Sequence, residues 1–175
     1  MKKIAEMTQG ELAAHIDNHL KKRGIAVVLS GGAAVAIYSN HSYVSKDIDF
    51  VARFSLDNAA VASAMKEIGF EREDKYYFHP ETDYFVDFVA GPPSIGNEPI
   101  GEIRELQMDT GAVRIISPTD SVKDRLAAYF HWEDRQCLDQ ALLVASTNKI
   151  DLDQVEAWSI REGEQAKFEE FMRRL

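Results

Sequence analysis

Residues 27–51 read VVLSGGAAVAIYSNHSYVSKDIDFV, and the fold turns on how this stretch is read. With Ile25 and Ala26 ahead of it, the opening run is apolar and β-branched over Ile25 to Leu29, the composition of a buried strand. Ser30-Gly31-Gly32 breaks the run, and AAVAIY then reads as a short helix packed closely through small residues. DIDFVARF, from Asp47, alternates as a strand does. Side chains two apart on a strand share a face, so Asp47 and Asp49 project together while Ile48 and Phe50 turn into the core. A packed core needs neither the double glycine nor the paired acids.

Two carboxylates held that close repel unless a proton or a cation sits between them. Hard oxygen ligands on a preformed edge suit Mg²⁺, which keeps waters and takes its remaining ligands from phosphate oxygens. The Ser-Gly-Gly turn presents backbone N–H groups at the positive end of a helix dipole, with no Cβ to hold a phosphate away. One element therefore offers amides to phosphate and the next offers carboxylates to metal, which describes a site for a metal–nucleoside triphosphate. Further on, YFVDFVAG places Asp87 between Val86 and Phe88. It shares a face with Phe85 and Val89, where a core reading buries a carboxylate at a cost. If its strand lies beside that of Asp49, three acids converge. Two metal ions bridged by them would stabilise the attacking and leaving oxygens of an in-line displacement. Asp87 is equally suited to accept the proton of an attacking hydroxyl.

Composition bounds these readings. The chain has 175 residues, 45% hydrophobic, enough for one domain with a proper core and room for a small appended lobe. No apolar run approaches the ~20 residues that span a bilayer, and the start, MKKIAEMTQGELAAHI, is broken by Glu6, Gln9 and Glu11, unlike a secretory signal. A single cysteine, Cys137, fits a reducing compartment, so a cytoplasmic protein without membrane partners is expected. The net charge of −9 speaks against a broad nucleic-acid surface, though not against a local basic cleft or a phosphorylated ligand carried with metal.

Around the central stretch, Thr8 and Glu11 form a capping-box pattern ahead of Leu12, Ile16 and Leu20 at helical spacing, with Gly24 as a stop. Ser55 is read as the cap of a helix carrying Leu56, Val61, Met65 and Ile68, closed by Gly69. Strands are predicted over Tyr76 to Phe78 and Tyr84 to Val89, a main loop over GPPSIGNEP, and a hairpin from IRELQM, DTG and AVRII. After Ser117-Pro118, a cap followed by proline at the first helical position, the chain reads as helical to its end. The predicted architecture is α/β (α+β): a mixed core over 1–116 and a helical region over 117–175 packed on it. His15 and His19, at i and i+4, read as a solvated face, and Phe168, Phe171 and Met172 read as the inward side of a docking helix.

Gly31-Gly32, Asp47-Ile48-Asp49-Phe50 and Val86-Asp87-Phe88 together resemble the fingerprint of the DNA polymerase beta-like nucleotidyltransferase superfamily. VSKDIDF resembles the smaller bacterial members, including the abortive-infection type IV toxin nucleotidyltransferases, and SPTDSVKDRLAAYFHWEDRQCLDQALLVA resembles the helices that follow their catalytic core. The likeness covers roughly residues 25–145. It implies a short mixed sheet backed by helices and Mg²⁺-dependent transfer of a nucleoside monophosphate from an NTP to an acceptor hydroxyl, on tRNA, a protein or a small molecule. It also implies a possible toxin role with an antitoxin-like partner. By position, Asp47 and Asp49 would bind Mg²⁺ (two ions in the fullest form), with Asp87 completing the metal site or acting as base. Ser30, Gly31 and Gly32 would hold the triphosphate. Lys123 matches a lysine of the toxin-like members that contacts phosphate, and equally reads as an exposed helical lysine. Two departures stand out: residues 33–46 make a gap slightly longer than usual, and the second motif position is Gly32 where serine is common, a lost hydroxyl that Ser45 or Ser30 could replace. The alternative is a nucleotidyltransferase-like module that binds nucleotide or protein without catalysis.

Overall fold

The computed structural model describes residues 2–175. Thr8 and Glu11 close the capping box: Thr8 Oγ1 accepts from the Glu11 amide at 3.3 Å and the Glu11 carboxylate accepts from the Thr8 amide at 2.7 Å. They open α1 (Gln9–Lys22), which buries Leu12, Ile16 and Leu20 completely. The chain then runs β1 (Val27–Ser30), α2 (Gly31–Tyr38), β2 (Asp47–Ala52), α3 (Asn58–Glu67), β3 (Glu71–Glu73), β4 (Tyr76–Phe78) and β5 (Phe85–Val89). It continues through β6 (Ser94–Ile95), β7 (Glu98–Pro99), β8 (Ile103–Met108) and β9 (Gly111–Ile116), and ends in α4 (Pro118–Trp132), α5 (Arg135–Thr147), α6 (Leu152–Arg161) and α7 (Gln165–Arg174).

Seven strands form one mixed sheet in the order β3-β4-β5-β2-β1-β9-β8, with β6 and β7 as a separate ladder. The β1/β9 and β2/β5 pairs are parallel and the other neighbours antiparallel. On β2, burial alternates strictly: Ile48, Phe50 and Ala52 are enclosed while Asp47, Asp49 and Val51 stay half-buried. Enclosing a side chain such as Phe50 contributes about 1.5–3 kcal/mol. One continuous buried cluster joins the sheet to α1, α2 and the helices after Ser117, ending with Trp158, Phe168 and Phe171. The mixed α/β architecture follows from that packing.

Several local expectations shift. Strand β1 starts at Val27, two residues later than the apolar run. The cap of α3 is Asp57, not Ser55: its carboxylate accepts from the Ala59 and Ala60 amides at 3.0 Å, and Leu56 ahead of it packs against the core. β3 is fully exposed and entirely charged, so it carries no apolar alternation to announce it. The loop GPPSIGNEP contains the β6/β7 ladder, pinned by the buried Ile95. His15 and His19 are half-buried, not solvated, and His19 lies 3.2 Å from Glu67. Met172 is exposed, so only Phe168 and Phe171 of that trio face inward.

Candidate functional site

Register brings the acids together. Ser30 on β1 pairs with Asp49 on β2, and Asp49 pairs in turn with Asp87 on β5. Paired residues of neighbouring strands point to the same side. Ser30, Asp49 and Asp87 therefore form a row across three strands, with Asp47 on the same face beside Phe85. This is the open face of the sheet. Asp87 avoids the cost of a buried core carboxylate, since Val86 fills the core and Val89 is exposed.

The glycine turn lies directly against Asp49. Gly31 has φ +63°, and a Cβ there would fall on the Asp49 carboxylate, so both backbone and space require glycine. Ser30 caps α2 without a side-chain hydrogen bond; its hydroxyl instead donates weakly to the Asp49 carbonyl at 3.4 Å. The first amides of α2 thus lack a side-chain acceptor, the arrangement that favours a bound anion. Ser45, nearly buried, donates its hydroxyl to the Asp47 carboxylate. The Gln9 side-chain amide donates to the Ser45 carbonyl at 3.1 Å and the Asp47 carbonyl at 2.9 Å, tying the loop to α1.

Electrostatics separate the acids. Burial pushes the Asp49 carboxyl up to about 7; Asp47, Asp87 and Asp124 act in the same direction and Arg125 opposes them. Asp87 accepts from the Lys75 ammonium at 3.1 Å, and Lys75 lies 4.6 Å from the centre of the Tyr76 ring. Hydrogen bonds to Tyr76 and Asp87 hold the Lys75 ammonium above its ordinary value. The donor set suits a hard divalent cation: carboxylates on one face, one of them raised toward neutrality by burial and by its acidic neighbours. Among the described residues no three such groups stand close enough to form a finished metal cage; Asp47 accepts from Ser45 and Asp87 from Lys75.

Lys123 is not among the groups gathered here. It is buried on α4 and paired with Asp120 at 3.4 Å, whose carboxylate also accepts from the Gly101 and Glu102 amides. On this helix the cation that acts on the acids is Arg125, two residues further round. Its guanidinium donates to Asp124 at 2.6 Å and to Gln140 at 3.4 Å, and its charge acts on Asp49. From the sequence, Arg125 reads as part of a local basic patch with Lys123 and Arg135; Lys75 and Gln9 escaped the sequence reading because neither belongs to a local motif. Beyond Asp87, Tyr76, Phe78 and Phe85 pack ring against ring, with centroids 5.1 Å apart for Tyr76–Phe85 and 5.8 Å for Phe78–Phe85.

No family model and no curated protein matches the sequence. Solved structures do resemble it. The antibiotic-resistance factor ANT(2'')-Ia in solution matches with a TM-score of 0.57 and 16% identity, over 92% of this chain and 95% of that one. ANT(2'')-Ia in complex with adenylyl-2''-tobramycin matches with a TM-score of 0.56 and 16% identity, over 94% of this chain and 98% of that one. An antigenic nucleotidyltransferase-like protein from Paracoccidioides brasiliensis matches with a TM-score of 0.59 and 14% identity, over 79% of this chain and 75% of that one. At such identities the likeness speaks for architecture, and in architecture this chain has the nucleotidyltransferase fold.

Proposed function

We propose that the protein is an NTP-dependent nucleotidyltransferase that transfers a nucleoside monophosphate to an acceptor hydroxyl and releases pyrophosphate. The observation that carries this reading is the in-register row of Ser30, Asp49 and Asp87 beside the glycine turn. Residues 1–116 act as the catalytic core and 117–175 as the helical region packed on it. The amides of Gly31 and Gly32, with Ser30, bind the triphosphate. Asp47 and Asp49 would hold Mg²⁺ and Asp87 would complete the set, at the expense of its ion pair with Lys75. Bound there, the metal would neutralise charge on the phosphates and lower the barrier to in-line displacement. Asp87 is also the group that accepts the proton of the incoming hydroxyl.

The acceptor approaches from the β5–β4 side, since the glycine turn lies on the β1 side of Asp49 and Asp87 on the other. Tyr76, Phe78 and Phe85 offer it a part-exposed aromatic surface. A net charge of −9 disfavours long nucleic acid. ANT(2'')-Ia was solved with an adenylylated small molecule, and a small-molecule hydroxyl is the acceptor preferred here. Transfer to tRNA or protein, and with it a toxin role and an antitoxin-like partner, rests on the sequence resemblance. A cytoplasmic location belongs to the same proposal; among the described residues no helix is long and apolar enough to cross a membrane.

One observation favours the non-catalytic alternative: Asp87 is already engaged by Lys75. Incubation with each α-³²P-labelled NTP, Mg²⁺ and pools of hydroxyl acceptors separates the two. Label transfer and pyrophosphate release by the wild type, lost in Asp49→Ala, establish the enzyme. Mg²⁺-dependent NTP binding that yields no pyrophosphate across all pools establishes the binding module.

A further inference from the structure

Gly32 and Ser45 share one small space. A Cβ built on Gly32 would lie 2.9 Å from Ser45 Oγ and 3.1 Å from Ser45 Cβ, and otherwise 3.4 Å from the Tyr43 ring. Gly31 is excluded from carrying a side chain by its backbone, but Gly32 is helical with no left-handed φ. What crowds a side chain at position 32 is therefore the hydroxymethyl group of Ser45. That hydroxyl is not idle filler: it donates to the Asp47 carboxylate, and its backbone is held in place by the buried Gln9. The intervening loop delivers it through two left-handed residues, Asn40 (φ 51°) and His41 (φ 62°), which turn the chain back over the start of α2.

We infer that Ser45 is a positioning residue: its hydroxyl, occupying the space that a side chain at position 32 would need, orients the Asp47 carboxylate toward the metal and holds it beside the triphosphate amides. The inference rests on the nucleotidyltransferase reading above and extends it to a residue 13 positions from the glycine turn (45 − 32). A hydroxyl hydrogen bond of this kind fixes which carboxylate oxygen faces the metal, and losing such a partner lowers metal affinity by about tenfold or more. It also accounts for the length of the 33–46 segment, which must reach back to bring the side chain of residue 45 against Gly32.

The geometry makes a reciprocal demand. Gly32→Ser alone must displace the Ser45 side chain, and Ser45→Gly alone must leave Asp47 without its donor. Together, Gly32→Ser and Ser45→Gly exchange the hydroxyl between the two positions, leaving only the ordinary contact with Tyr43. The test is binding of Mn²⁺, followed by electron paramagnetic resonance, with and without inorganic tripolyphosphate as a base-independent mimic of the NTP tail. Wild type, Ser45→Ala, Ser45→Gly, Gly32→Ser, the double variant and Asp49→Asn are compared after circular dichroism shows each folded. Ser45→Ala, which adds no atoms and cannot clash, is expected to weaken Mn²⁺–tripolyphosphate binding about tenfold, and the double variant to recover most of what either single change loses. Wild-type affinity in Ser45→Ala, or a double variant no better than its weaker parent, overturns the inference while leaving the nucleotidyltransferase reading intact. Wild-type protein whose Mn²⁺ binding matches that of Asp49→Asn, with or without tripolyphosphate, overturns both.

Discussion

Asp17 and Asp49 are both aspartates enclosed by this fold, and their surroundings are opposite. Asp17, on α1, is fully matched: its carboxylate accepts from the Arg114 amide at 2.8 Å and from the Arg114 guanidinium, Asp17 being buried and Arg114, on β9, largely enclosed. Asp49 faces Asp47 and Asp87, with Asp124 also near enough to act on it, and the nearby Arg125 is committed to Asp124. A carboxylate with a complete set of donors is part of the scaffold. A carboxylate surrounded by its own kind, beside an uncapped helix start, fits the proposed role of meeting a ligand that carries the missing charge. The comparison separates two uses of the same side chain by what surrounds it.

The largest expected effect breaks the comparison on the side of function. Asp49→Ala should lower nucleotidyl transfer by about 10³-fold, the scale of losing a central electrostatic group, while its melting temperature stays at or above the wild-type value. Transfer unchanged in that variant would remove Asp49 from the chemistry. The next breaks it on the side of structure. Asp17→Ala leaves Arg114 largely enclosed without its partner and should cost about 3–5 kcal/mol, seen as a drop of roughly 10 °C in Tm. Mn²⁺ affinity measured well below that Tm should be unaltered.

A third sharpens it through pH. The Asp49 carboxyl goes from 3.8 to about 7 on folding. Between these values the folded chain holds a proton that the unfolded chain has released, so stability contributed by this group falls as pH rises and levels off above about 7. In EDTA, Asp49→Asn should therefore exceed wild type in Tm at pH 8 by roughly 3–6 °C, for a relief of about 1–2 kcal/mol. The gap should close towards pH 4. A gap independent of pH would mean that the carboxyl is ionised throughout. The smallest effect concerns Asp87. Lys75→Met releases it from an exposed ion pair and should strengthen Mn²⁺ binding by at most about fivefold; weaker binding would show that Lys75 assists the bound state instead of opposing it.

Much of this site was legible before any coordinates. The alternation of DIDFVA predicts which side chains of β2 enter the core, and Ile48 and Phe50 do so completely. The glycine turn reads directly, because only glycine tolerates the φ of residue 31 and the approach of Asp49. Local chemistry of this kind leaves a mark at fixed spacing. The neighbours of Asp87 do not by themselves name its side: Phe85 and Val89 lie on the open side with it, where aromatic packing among Tyr76, Phe78 and Phe85 makes an apolar residue acceptable. Lys123 was matched from a helix position alone, and a side chain two residues along a helix points some 200° away, toward Asp120 for Lys123 and toward the acids for Arg125.

The sequence by itself determined the order of elements, the inward and outward sides of β2, and the place of the double glycine, because propensity, alternation and backbone freedom are properties of neighbouring residues. Tertiary structure alone decided that Asp87 lies in register with Asp49, that Arg125 and not Lys123 stands beside them, and that Ser45 fills the space over Gly32. Those facts depend on which strands pair and how a loop returns, and such pairings are set by the packing of the whole core.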